Sequence, residues 1–183
     1  MRKKNVKLWN NLTKELKDFE IQAGWFSETR YDDNTPIAGI AAVQNYGAHI
    51  RAAEEFKKYL HYIGVHLKKD TKEFVIPPRP FMDNARARIN GQEGKEILMQ
   101  EFLRVFEGRQ TMEQAAKRIG LWCQGVIQEE IQKIKSPALS SMTIEMRNDE
   151  YASESKNKST KPLNSTGLML ETVQLKVTMR QPR

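Results

Sequence analysis

The stretch Ile76-Pro77-Pro78-Arg79-Pro80-Phe81-Met82 constrains the fold more than any other part of this sequence. Proline fixes φ at about −65° and pushes the preceding residue out of the helical region. Phe74 to Ile76 should therefore form a short strand, and Pro80 should occupy the first turn of a helix that ends at Asn90. Residues 76–82, which we call the proline corner, are thus predicted to turn a strand stiffly into a helix.

Two further motifs accompany the proline corner. Upstream, Thr35 and Pro36 predict the start of a helix, with Thr35 as its N-cap, and the helix should cover the small-residue segment Ile37 to Tyr46. Gly47 should end it in a left-handed cap. Downstream stands the segment Lys161-Pro162-Leu163-Asn164-Ser165-Thr166-Gly167-Leu168-Met169.

In this order the three motifs resemble those of the neck and tail-completion (tail-terminator-like) proteins of tailed bacteriophages, over roughly residues 20–180. The resemblance implies a structural virion protein of the neck or tail, assembled in the host cytoplasm. It implies a homo-oligomer, with a hexameric ring expected, whose partners are the head-tail connector and the tail-tube or sheath proteins. Genomic DNA would pass through the ring. The resemblance implies no catalytic activity, no cofactor, no bound metal and no membrane association.

The resemblance also suggests residues for the structural corner and for assembly. Arg79, Phe81 and Met82 should anchor the corner, while residues 48–73 and 140–160 should contact other proteins. Two roles stay open for Arg79, which either holds the fold together or faces a neighbouring subunit. The full set of corner and assembly residues is Tyr46, Gly47, Pro77, Pro78, Arg79, Pro80, Phe81, Met82, Lys161, Pro162, Leu163, Thr166 and Gly167.

Hydrophobic periodicity predicts an α+β fold in one domain over residues 1–183. Helices are expected at about 5–19 and 93–107, and the longest at 111–135, opened by a Thr111–Gln114 capping box. Alternating segments predict strands at 21–26 and 173–179. With the strand near residue 75, they should form one small, mainly antiparallel sheet packed against the long helix.

Two segments depart from this pattern. Residues 48–73 resemble an insertion and are interpreted as a helix over 52–60, a turn and a hairpin. Residues 140–162 are rich in Ser, Thr, Asn, Lys and Glu, which predicts a mobile polar loop. Within that loop Met142 to Met146 alternate in the manner of a strand or hairpin arm.

The sequence offers few candidate residues for catalysis or metal binding. The histidines His49, His61 and His66 have no neighbouring cysteine and no His-Glu-x-x-His spacing. Cys123 is the single cysteine, so an internal disulfide is excluded, and it lies on an apolar helical stripe as a small buried hydrophobe would. Glu28, Asp32 and Asp33 imitate a metal-dependent nuclease cluster, but they stand in a turn, where such residues are common.

A basic nucleic-acid-binding module is the alternative function. The formal net charge is +7, and basic residues concentrate at Lys57, Lys58, Lys68, Lys69, Lys72, Arg79, Arg86 and Arg88. Such a cluster suits phosphate contacts. Interspersed acidic residues dilute it, and no recognition-helix pattern is present.

Overall fold

The protein combines α-helices with short antiparallel strands. The computed structural model describes residues 19–62, 70–148, 160–164 and 166–179. In chain order the elements are β1 (Phe19–Gly24), α1 (Ile37–Tyr46), β2 (Ala48–Arg51), α2 (Glu54–Tyr62), β3 (Glu73–Ile76), α3 (Phe81–Asn90), α4 (Gln92–Phe106), α5 (Met112–Lys133), α6 (Ser141–Asn148), α7 (Leu168–Glu171) and β4 (Gln174–Met179). This confirms the predicted α+β class with a long helix, α5, of 22 residues.

The described strands form two separate two-stranded antiparallel sheets. β1 pairs with β4, with Phe19 opposite Met179. β3 pairs with β2, with Ala48 opposite Ile76. The prediction that the strand near residue 75 shares a sheet with the other two is therefore wrong. β2 has only four residues, too few to show a clear period-2 pattern, so its hydrogen bonding to the backbone of β3 could not be predicted from the sequence.

The chain divides into two compact units. The first contains, among the described residues, 19–25, 82–130 and 173–179, and the second contains those within 26–81 and 131–172. The expectation of a single domain over 1–183 stays a prediction. The expected helix at 5–19 lies outside the described residues, apart from Phe19, which belongs to β1.

In the first unit, α5 packs against the β1–β4 sheet. A Cβ at Gly120 would overlap the side chain of Leu175, so the absence of a side chain lets the helix approach β4. The Gln124 amide also donates a hydrogen bond of 2.7 Å to the carbonyl of Val173. The predicted apolar stripe of α5 is buried at Met112, Ala115, Ala116, Ile119, Cys123, Val126 and Ile127.

Two details of α5 match the sequence predictions. The Thr111 N–H donates to Gln114 Oε1 at 2.9 Å and the Gln114 N–H donates to Thr111 Oγ1 at 3.2 Å, which confirms the capping box. Burial raises the pKa of the Cys123 thiol. Since the thiolate is the nucleophilic form, this fits a packing role for Cys123.

In the second unit, the turn before α1 differs slightly from the prediction. Ile37 begins α1 and Tyr46 ends it, as expected, but the N-cap is Pro36, and no side chain caps the helix. Thr35 precedes the N-cap, and its N–H donates to Asp33 Oδ1 at 2.9 Å. The turn is therefore held by Asp33 through an Asx-type hydrogen bond.

Residues 141–148 form the helix α6, so the predicted strand or hairpin arm at 142–146 is wrong, as is the loop over that stretch. Ser140 caps the helix: its Oγ accepts the Thr143 N–H at 3.2 Å, and its carbonyl accepts the Ile144 N–H at 3.1 Å. A capped helix satisfies these backbone groups locally, whereas a strand would have needed a partner. The rest of the predicted mobile loop lies largely outside the described residues, at 149–159.

Other boundaries move by a few residues. The strand expected at 21–26 is β1 at Phe19–Gly24, and the helix expected at 52–60 is α2 at Glu54–Tyr62. The helix after the corner runs from Phe81 to Asn90, so Pro80 immediately precedes it. The extended segment and His66, expected after α2, lie within 63–69, outside the described residues.

Candidate assembly site around the proline corner

The proline corner is docked on the end of α1. The Arg79 N–H donates to the carbonyl of Gln44 at 2.8 Å. Gly47 ends α1 with φ +75° and ψ 173°, so the predicted left-handed helical cap is wrong although φ is positive. A Cβ there would lie 2.6 Å from the Ile76 carbonyl oxygen and 3.0 Å from the Pro78 nitrogen. Glycine is therefore required at position 47 both for its backbone conformation and for the close approach of the corner. Two of the three sequence motifs thus meet directly.

Arg79 fixes the corner with its side chain as well. It is only 5% exposed. Its Nε donates to the Pro137 carbonyl at 3.0 Å, Nη1 to Gln44 Oε1 at 3.0 Å, and Nη2 to the Ala138 carbonyl at 3.4 Å. Arg79 therefore links the corner to α1 and to the chain after α5, which favours the first of the two roles left open by the sequence.

The third motif lies beside α6. Pro162 and Met169 are buried, and Leu163 has φ +62°, an uncommon conformation for a branched residue. Arg147 Nη1, from α6, donates to the carbonyls of Lys161 at 3.1 Å and Asn164 at 3.3 Å. Arg147 thereby holds the turn in which Leu163 adopts this conformation.

All three motifs line one cavity of about 470 Å³ within the second unit. The first motif contributes Ile40 and Gln44, the corner contributes Ile76, Pro77 and Arg79, and the third contributes Leu163, Thr166, Gly167 and Met169. The remaining lining includes Ser140, Thr143 and Arg147 around α6. Segments far apart in sequence therefore meet at one place, which we call the corner cavity.

Electrostatically the corner cavity is positive. Burial lowers the pKa of Arg79, and burial followed by the charge of Arg79 lowers the pKa of Arg147. Both guanidinium groups remain charged at neutral pH, since arginine starts near 12.5 or above. Within the described residues, no carboxylate lies within ion-pair distance of Arg79.

The sequence prediction missed part of this site. Arg147, Ser140 and Thr143 were not singled out, because residues 142–146 were interpreted as extended. The available signal was Ser140 at the start of a possible helical turn, since serine is a favoured N-cap residue. Of the residues that were predicted, Tyr46, Pro78, Pro80 and Lys161 are exposed, Phe81 is fully buried, and Met82 belongs to the first unit.

The acidic and histidine residues that were considered for metal binding have structural roles or lie on the surface. Asp33 accepts the Thr35 N–H, and this backbone hydrogen bond is the main reason why the pKa of Asp33 is lowered. His49 Nδ1 lies 3.5 Å from Glu73 Oε2 on an exposed surface. Across the described ranges, no group of three or more His, Cys, Asp and Glu side chains is arranged to hold a metal ion.

Comparison with known proteins finds no match to the chain among family models, curated proteins or solved structures. Likeness to phage neck proteins therefore depends on the three short motifs themselves. In the described part of the chain, no helix combines the length and apolar character needed to cross a membrane.

Proposed function

We propose that this chain is a structural virion protein of a tailed bacteriophage, a subunit of a ring at the head-to-tail junction. The ring would join the connector to the tail tube and leave a channel for DNA, with no catalytic step. The observation that carries the proposal is the meeting of the three family-like motifs at the corner cavity. A shared structural role explains why motifs so distant in sequence resemble the same family.

Exposed apolar side chains on the second unit support a subunit interface. Tyr46 is 70% exposed, Val75 56% and Ile50 41%. Large apolar and aromatic side chains left in water are common where another protein binds. The β2–β3 sheet has only two strands, so each strand keeps an edge without a strand partner in the described structure. Strand addition from a neighbouring subunit would use such an edge.

The direct test is the mass of the purified protein, alone and with tail tubes. Val75→Lys should reduce ring formation, because a charge would be buried in the interface. Gln100→Lys is the matched control, since it adds the same charge at an exposed polar position of α4. A protein that stays monomeric with and without tail tubes would count against the ring.

A deletion tests the predicted contact loop separately. Removing residues 153–160 should leave the monomer folded, as judged by circular dichroism, but impair the joining of heads to tails. Infectious particles assembled at the normal yield by the deletion variant would argue against a joining role for this segment.

A nucleic-acid-binding module remains the second candidate function. The residues that support it differ from those identified in the sequence. Arg88 is paired with three carboxylates, and Arg79 is only 5% exposed and lines the corner cavity, so neither suits contacts with the phosphates of a DNA backbone. In the first unit, however, four cations and two glutamines line a groove of about 530 Å³: Arg104, Arg109, Lys117, Arg118, Gln110 and Gln114. Three of the cations have glutamate partners, and Arg118 has none among the described residues.

Salt-dependent binding to duplex DNA tests this candidate. Each phosphate contact adds roughly 0.9 to the slope of log affinity against log salt concentration. Arg118→Gln should reduce that slope by about one, whereas Lys95→Gln, on the exposed surface of α4, should leave it unchanged. Binding that is absent at low salt would remove the module from consideration.

A further inference from the structure

The corner cavity has the properties of a ligand site as well as of a structural joint. Its volume of about 470 Å³ falls within the roughly 300–1,000 Å³ of typical small-molecule sites. A tightly packed joint would leave few voids larger than a water molecule. The chemical groups on its wall therefore indicate what it would accept.

Arg79 supplies the specific polar group. A guanidinium has five N–H donors, and the side chain of Arg79 uses three of them on two carbonyls and one amide oxygen. The two that remain belong to Nη1 and Nη2, one on each terminal nitrogen. Arginine binds a carboxylate or phosphate through two N–H groups of this kind.

Charge favours an anion in the cavity. Arg79 is only 5% exposed, and its three hydrogen-bond acceptors are all neutral oxygens. Arg147 brings a second positive charge to the same wall, close enough for Arg79 to lower its pKa. Burying like charges near one another is unfavourable, and an anion bound at Arg79 would offset part of the cost.

The rest of the wall selects among anions. Apolar side chains dominate it, including Ile40, Ile76, Leu163 and Met169, while Ser140 and Thr143 add hydroxyl groups. A free phosphate would lose much hydration against apolar side chains and gain little. A monocarboxylate with an apolar body would place its charge at Arg79 and its carbon chain on the apolar wall.

We propose that the corner cavity binds a carboxylate attached to an apolar body, held by Arg79 and Arg147. The carboxylate is either a free small acid or a group carried by another copy of this chain. This inference does not depend on the proposed ring, because it concerns the wall of a cavity within one unit.

Calorimetric titration of the full-length protein with acetate, butyrate and hexanoate tests the proposal, with sodium chloride and inorganic phosphate at matched ionic strength as references. Affinity should rise about fourfold for each added methylene group that is fully buried. Arg79→Met should weaken hexanoate binding at least about tenfold. Arg86→Gln, which removes a positive charge from the exposed face of α3, should leave it unchanged.

Because Arg79→Met also removes three structural hydrogen bonds, Arg147→Gln provides a second variant in which the contacts of Arg79 stay intact. It should weaken hexanoate binding by severalfold, and the melting temperature of each variant shows that it is folded. Equal response to all carboxylates and phosphate, or full binding by both folded variants, would overturn the proposal.

The mass of the protein in the presence of hexanoate identifies the source of the carboxylate. Hexanoate at saturating concentration should dissociate oligomers if the group belongs to another copy, and it should leave their mass unchanged if the ligand is a free acid. Both results require that hexanoate binds at Arg79, and a change in mass that Arg79→Met fails to abolish would contradict the proposal.

Discussion

Arg79 and Arg88 lie at opposite ends of one short stretch of sequence, yet the fold treats them in opposite ways. Arg88 Nε and Nη2 grip both oxygens of Glu93, at 3.1 and 2.9 Å, and Nη1 reaches Glu129 at 2.9 Å and Glu130 at 2.8 Å. Among the described residues, Arg79 donates only to neutral oxygens. Carboxylates within the protein therefore balance the charge of Arg88, whereas Arg79 has no carboxylate partner among the described residues.

The difference separates a closed structural cluster from a site with remaining binding capacity. The three carboxylates raise the pKa of Arg88, whereas burial lowers that of Arg79. A cation surrounded by anions gains little from another anion, but a buried cation without one gains much. Stability at Arg88 should accordingly depend on charge, and stability at the proline corner should depend on hydrogen bonds and on backbone fit.

Arg88→Met should produce the largest loss of stability. The Glu130 side chain is only 8% exposed, and it would lose its cation while remaining buried. We expect a loss of about 3 kcal/mol, measured as the free energy of unfolding in urea. The double variant with Glu130→Gln should recover part of that loss, because the buried charge is then removed too.

Lys117→Met gives the control for this cluster. Lys117 and Glu113 form an i,i+4 pair at 2.8 Å, but both side chains are well exposed. Such pairs contribute little. If Arg88→Met costs no more than Lys117→Met, the cluster at Arg88 does not have the role assigned to it.

Sequence reasoning predicted the elements with strong periodicity or clear punctuation. α1, α3 and α5 appear where apolar spacing, proline, glycine and the Thr111–Gln114 capping box placed them. The alternating segments predicted at 21–26 and 173–179 also appear as strands, β1 and β4, although alternation did not decide which strand pairs with β4. These features are local, since each depends on residues within a few positions of one another.

The errors concern features that local pattern does not determine. β2 has four residues and finds its partner across α2, so its pairing is a tertiary contact. Residues 142–146 fit both period 2 and the spacing of a short helix, and only the cap at Ser140 decides between them. Within the candidate site, the corner was predicted, but the contribution of Arg147 depended on recognising α6.

Gly47→Ala should cause the next largest loss, because it tests the backbone fit of the corner. It combines positive φ with overlap against the Ile76 carbonyl oxygen, and we expect a cost of about 2–3 kcal/mol in urea unfolding. Gly108→Ala is a matched control: φ is +72°, but no atom lies within 4 Å of the added Cβ. It should cost about 1 kcal/mol, and equal losses for both would show that corner contact at Gly47 is unimportant.

Arg79→Met should cost about 2 kcal/mol, because it leaves buried acceptors without donors while relieving a buried charge. Salt should distinguish the cost of Arg79→Met from that of Arg88→Met. Pairs at Arg88 are partly exposed, at 47% for Glu93 and 59% for Glu129, so the cost of Arg88→Met should fall between roughly 0.05 and 1 M sodium chloride. The cost of Arg79→Met should not change with chloride, and a parallel decrease would contradict the distinction between the two arginines.

Asp33→Asn should have the smallest effect, in the turn that leads into α1. The backbone hydrogen bond from Thr35 holds the pKa of Asp33 below its ordinary value of 3.8. A carboxyl group with a lowered pKa in the folded state contributes stability above its unfolded pKa and loses it as the pH falls through the folded pKa. Asp33→Asn should therefore be slightly less stable than the wild type at pH 7, and the two curves should converge below pH 3.8.

Urea unfolding at several pH values measures this convergence, with Asp32→Asn as the control. Asp32 is exposed and accepts no hydrogen bond from the described residues, so its replacement should leave the pH profile unchanged. A difference between Asp33→Asn and the wild type that persists below pH 3 would mean that the amide disturbs the turn itself. In that case the charge of Asp33 would be incidental, and the corner region would depend on fit alone, in full contrast to the charged cluster at Arg88.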